Sequence, residues 1–130
     1  MTANGSVFTD AERRYLSERR LGRIATVGKS GTPHVAPVGW SYDPEEDVIE
    51  IGGRDFARSK KYHDAERSGR AAIVIDDLAS FDPWRPRGIE IRGRAEVFDH
   101  PPRIRIRPRR VVSWGLDNDD FFERHARTVD

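Results

Sequence analysis

Residues 23–53 read RIATVGKSGTPHVAPVGWSYDPEEDVIEIGG, and the position of the turn residues within this stretch decides the fold. Arg23 to Val27 is short, apolar and β-branched, and Lys29-Ser30-Gly31-Thr32 after it supplies turn chemistry. Pro33 to Tyr42 follows as a second strand, so the two form a hairpin. Asp43-Pro44-Glu45-Glu46-Asp47 is a second polar turn, and Val48 to Ile51 is a third strand. Three strands joined by short polar turns begin a meander.

Upstream, Thr9-Asp10-Ala11-Glu12 fits a capping box, in which hydroxyl and carboxylate satisfy free amides at a helix start. The pattern predicts a helix from Asp10 to about Arg20 with Tyr15, Leu16 and Leu21 inward, ended by Gly22. Downstream, Ser59 is a good N-cap for a helix to about Arg67, closed by Ser68-Gly69. Arg70 to Asp76 is a fourth strand, and Asp77 to Arg87, with Pro83, Trp84 and Pro86, reads as a long loop. Gly88 to Phe98 alternates, with Ile89, Ile91, Ala95 and Val97 on one face. Arg103 to Val112 is the sixth strand, and a polar tail follows from about residue 116. Two helices among six short strands with glycine-marked corners predict a mainly β protein, a closed six-stranded antiparallel barrel. The absence of βαβ alternation argues against a Rossmann-type sheet.

The 130 residues make one domain, residues 1–130, and 36% hydrophobic content supplies one core. With 23 basic and 22 acidic residues the net charge is +1, which lacks the basic excess of a dedicated nucleic-acid binder. There is no cysteine, so disulfide and thiolate chemistry are excluded. No apolar run approaches the roughly 20 residues of a membrane span, and the first residues lack a signal-peptide pattern. The expectation is a cytoplasmic protein with no membrane partner.

The segment from Gly52 to Lys61 carries the clearest chemistry. Glycines after a strand allow close backbone approach, and a helix start offers free amides with a positive dipole. Arg54, Ser59, Lys60 and Lys61 add cations and a hydroxyl that can cap the helix and donate to a phosphate oxygen. The stretch fits a phosphate cradle, and it also fits a capped helix with solvated lysines. Arg103, Arg105, Arg107 and Arg109 alternate with Ile104 and Ile106, as a solvated strand face or an anion-attracting one. His34, His63, His100 and His125 have no metal-ligand spacing, so no metal site is expected. Asp117, Asp119 and Asp120 lack the EF-hand pattern. No general acid or base stands out.

In combination, Thr26-Val27, then Gly31 to Val38, then Ser59-Lys60-Lys61, resemble the pyridoxamine-phosphate-oxidase-like split β-barrel superfamily. Ile89-Glu90-Ile91-Arg92-Gly93-Arg94-Ala95 is similar to a later strand of that superfamily, and Pro108 to Gly115 to the end of its small actinobacterial F420-dependent branch. The resemblance covers roughly Phe8 to Gly115. It implies an FMN-binding-like barrel that works as a homodimer, with a cofactor in each of two grooves between subunits. It implies that Ser59, Lys60 and Lys61, with Arg54, hold the cofactor phosphate, and that Pro37, Val38, Gly39 and Trp40 run along its ring. Pyridoxamine-phosphate oxidases carry an Arg and a Lys on that strand where this chain has His34 and Gly39. That departure favours coenzyme F420 over FMN. The implied activity is hydride transfer from reduced deazaflavin to a small organic acceptor. The alternatives are an FMN-binding oxidase relative and a non-catalytic flavin- or haem-binding module.

Overall fold

The computed structural model describes residues 5–116 and 124–129. Its elements are α1 (Asp10–Ser17), β1 (Leu21–Val27), β2 (Pro33–Asp43), β3 (Val48–Gly52), α2 (Lys60–Ser68), β4 (Arg70–Ser80), β5 (Arg85–Asp99), β6 (Pro102–Trp114) and β7 (Arg124–Thr128). A single 3₁₀ turn, Phe56–Arg58, precedes α2.

Period-two alternation drives the closure. Ile24, Ile49, Ile51, Ile73, Ile75, Ile89, Ile91, Ile104 and Ile106 are all essentially inaccessible to solvent. They point inward from β1, β3, β4, β5 and β6 into one core. Burial of each such side chain stabilises the fold by about 1.5–3 kcal/mol. The sheet order is β3-β2-β1-β4-β5-β6-β7, and β3 also pairs with β6, so the first six strands form the closed antiparallel barrel. That closure runs from Ile49 opposite Ile106 to Gly52 opposite Arg103. A β-bulge between Arg92 and Gly93 shifts the β5–β6 register. There a Cβ on residue 93 would stand 2.1 Å from the Arg107 carbonyl oxygen, so the bulge requires glycine.

The structure corrects four expectations. The first helix stops at Ser17, because Leu21 to Val27 pairs along its whole length with β2 and draws Gly22 into the strand. Gly22 packs there against Ile73 and Ile75. The expected loop from Asp77 to Arg87 is instead the end of a hairpin, since β4 and β5 keep pairing out to Ser80 opposite Arg85. A cross-strand ion pair, Arg87 to Asp77 at 2.8 and 3.0 Å, holds the two strands together where hydrophobic alternation fades.

The expected polar tail contains a strand. Arg124 to Thr128 extends β6 beyond its contact with β3. Arg127 carries β7 back to the N-terminal helix, bonding both carboxylate oxygens of Glu12 and the Val7 carbonyl. Asp117, Asp119 and Asp120 lie outside the described residues. The arginine face of β6 is not simply solvated. Arg105 grips Glu50 at 2.7 and 2.8 Å, and Arg107 pairs with Glu46 and Glu96. Arg103 stacks on Phe98, whereas the exposed Arg109 is the extra residue of the bulge, outside the β5–β6 register, and lines another face. Among the described residues, no helix is long and apolar enough to cross a membrane.

Candidate functional site

The inner faces of β1 and β2 meet the start of α2 at one end, leaving a cavity of about 190 Å³. Ile24, Thr26, His34, Ala36, Lys60 and Lys61 line it. The local sequence explains the arrangement. Thr26 lies directly opposite His34 in the β1–β2 ladder. The Phe56–Arg58 turn, seated by the buried Phe56, aims α2 at that pair.

Ser59 caps α2 as its sequence context predicts, accepting from the Tyr62 amide at 3.3 Å. Its own hydroxyl proton is directed to the Phe56 carbonyl at 2.6 Å. Donation from Ser59 to a phosphate oxygen would require this hydroxyl to turn from the Phe56 carbonyl. The amides of Lys60 and Lys61, in the first turn, have no intrahelical acceptor and carry the positive end of the helix dipole.

Behind the cavity lies Asp64, 1% exposed. It accepts from Thr26 Oγ1 at 3.0 Å and Arg67 at 3.1 Å, with Lys60 Nζ at 3.5 Å. Burial alone would raise its carboxyl pKa, but the bonds from Arg67 and Thr26 and the nearby Lys60 charge hold it below the ordinary range. Asp64 thus stays anionic and takes part of the Lys60 charge. Lys61 differs. Its ammonium lies 5.3 Å from the centre of the Phe56 ring, with no acidic partner among the described residues. Two ammonium groups, two free amides and an imidazole make a donor set that fits a phosphoryl group.

The sequence-predicted residues separate. Lys60 and Lys61 line the cavity and Ser59 braces it, but Arg54 is exposed in the preceding turn and does not line it. On β2, Pro37 and Gly39 are exposed on the outer face, and Val38 is buried in the core. Trp40 lies in a different groove, against α1. Gly52 and Gly53 would each accept a Cβ at ordinary contact distances, so close approach does not demand glycine at either position. Sequence reasoning left out of the phosphate site His34, whose ring packs against Gly28, and Asp64, whose i,i+4 spacing from Lys60 was the available signal.

The family model described as pyridoxamine 5'-phosphate oxidase matches residues 8–122. A 5a,11a-dehydrotetracycline/5a,11a-dehydrooxytetracycline reductase of Streptomyces rimosus is 39% identical, over 94% of this chain and 93% of the relative. An F420H(2)-dependent biliverdin reductase of Mycobacterium tuberculosis is 35% identical over 69% of this chain, which spans 59% of that relative. Among solved structures, a conserved hypothetical protein of Mycobacterium tuberculosis superposes with a TM-score of 0.69 at 21% identity, covering 89% of this chain and 90% of that one. On the family match and these relatives, the chain belongs to the pyridoxamine 5'-phosphate oxidase family.

Proposed function

We propose that this protein is a reductase that works with a bound cofactor of the flavin type, coenzyme F420 in preference to FMN, and reduces a small organic acceptor. The observation that carries the reading is the start of α2, where Lys61 and two free amides face a cavity beside His34. Both curated relatives described above bear the name reductase, and one is named for F420H(2). When bound, the reduced deazaflavin supplies a hydride to the acceptor. The chain's own contribution is to bind and orient. Lys61 and the first-turn amides hold the phosphate, Lys60 is steadied by Asp64, and Thr26 fixes Asp64 to the barrel. His34 and Gly39 in place of a cationic pair support F420 over FMN, since the second strand then offers less charge to a flavin ring.

The working unit in this reading is a two-fold dimer. Leu21 and Val35 are 56% and 70% exposed on the outer face of β1 and β2. Close by, a groove of about 620 Å³ has Ala25, Val27, Pro33 and Ala72 among its lining. A second copy covers that surface and leaves a cofactor groove at each edge of the contact. Titration of the purified protein with F420 and with FMN, followed by oxidation of reduced F420 against a panel of conjugated acceptors, tests the function. Binding of F420 with acceptor-dependent oxidation is expected. Sedimentation showing only monomer at micromolar concentration overturns the dimer.

A further inference from the structure

At the opposite end of β2 from the lysines, α1 and the strand enclose a groove of about 690 Å³. Arg13, Arg14, Arg19 and Arg20 line it with Trp40, against one acidic side chain, Asp10. The compensation is incomplete. Arg13 pairs with Asp10 at 2.8 Å and Arg19 with Asp77 at 3.3 Å. Arg14 and Arg20 have no acidic partner among the described residues.

A second observation is independent of charge. Three N–H groups on the lining side chains, Arg13 Nε, Arg19 Nε and Trp40 Nε1, are buried without any acceptor. An unsatisfied buried donor costs about 1–3 kcal/mol, and native structures contain few. The Arg19 guanidinium overlies the Tyr15 ring at 4.3 Å, which accounts for its Nε. Arg13 Nε and Trp40 Nε1 remain as two donors beside the groove that no protein acceptor satisfies. We propose that this groove is a second binding site, specific for an organic polyanion bearing at least two carboxylate or phosphate groups.

The valence follows from the layout. Arg13 and Arg14 stand on the body of α1, and Arg19 and Arg20 stand beyond its end at Ser17, so the charges form two pairs. One anionic group can engage one pair. A ligand that reaches both needs two groups. Guanidinium groups offer forked donors that match carboxylate and phosphate oxygens in pairs, and the indole N–H adds one further donor. The site is separate from the α2 cradle, with no lining residue in common, so it stands whether or not F420 binds there.

The test uses the three tryptophan indole N–H signals in a ¹⁵N-labelled full chain, with Trp84 and Trp114 as internal references. Citrate and pyrophosphate are the divalent-or-higher probes, and acetate is the monovalent one. Saturable movement of the Trp40 signal with citrate or pyrophosphate, absent with acetate at equal ionic strength, is expected. Citrate acting more tightly assigns a polycarboxylate, and pyrophosphate acting more tightly a polyphosphate. The double variant Arg14→Gln, Arg20→Gln removes the two unpaired charges without touching an ion pair. It should weaken the probe by at least about tenfold, the effect of losing one charge-assisted contact. Lys61→Ala should leave the Trp40 titration unchanged. Three results overturn the proposal: acetate acting as well as citrate, the arginine variant binding as wild type, or Lys61→Ala abolishing the shift.

Discussion

The two helices hold their buried carboxylates in opposite ways. Glu12 on α1 and Asp64 on α2 are each 1% exposed, and each is anionic through hydrogen bonds from arginine and a hydroxyl. Glu12 spends its charge on a distant strand, taking Arg127 from β7 and the Ser113 hydroxyl at 2.6 Å from β6. None of the arginines of its own helix is neutralised by it. Asp64 spends its charge locally, on Arg67 and Lys60 one turn away and on Thr26 beneath. The first carboxylate is a clasp between chain segments more than 100 positions apart. The second is a brace for a binding helix, and it leaves Lys61 as the available cation. Where a buried charge finds its partner decides which surface cations remain for a ligand.

The comparison breaks most readily at Glu12. Glu12→Ala leaves Ser113 without its acceptor and Arg127 with only the Val7 carbonyl, and detaches β7 from α1. The expected loss is on the order of 3 kcal/mol, measured by urea unfolding. Asp64→Ala should cost less, about 1–2 kcal/mol, because Arg67 and Lys60 reach water once released and only Thr26 is stranded. Equal losses would mean that the clasp and the brace do the same job. Acid sharpens the point. Glu12, Asp64 and Asp77 all have carboxyl pKa values lowered on folding, so their contribution is complete above the ordinary values of 4.5 and 3.8. It is lost as pH falls through the lower folded values. The wild type should therefore lose stability with acidification below about pH 4.5. Glu12→Gln should flatten that dependence, and an unchanged slope would count against an ionised Glu12. The smallest expected effect is at Arg105. Its pair with Glu50 braces the barrel wall away from both grooves, so Arg105→Ala should barely change cofactor affinity.

Much of the barrel was legible because alternation is a local signal. The hairpin from Arg23 to Tyr42, the strand at Val48 and the caps at Thr9 and Ser59 all rest on neighbours within a few positions. What escaped depends on contacts far apart in sequence. β7 is polar at every position but Ala126, and only its ladder to β6 and the Glu12–Arg127 pair make it a strand. The hairpin through Asp77 and Arg87 is likewise held by an ion pair that no period reveals. In the candidate site, the lysines were legible from the helix-start pattern. The engagement of Ser59 by Phe56 was not, because it depends on the 3₁₀ turn that seats Phe56. Separation of Trp40 from the lysines follows from strand length, which places the two at opposite ends of β2.

The central claim is that Lys61 and the α2 amides hold the phosphate of a deazaflavin, and equilibrium fluorescence titration tests it most directly. Wild-type protein should bind F420 more tightly than FMN. Lys61→Ala should weaken F420 by about ten- to a hundredfold, the range of one charge-assisted contact to a partly buried phosphate. Lys60→Ala should weaken it less, because Asp64 already holds part of that charge. Salt should narrow the gap between wild type and Lys61→Ala by screening the contact that distinguishes them. Retention of FMN with indifference to F420, or equal losses from Lys61→Ala and Arg105→Ala, would contradict the account.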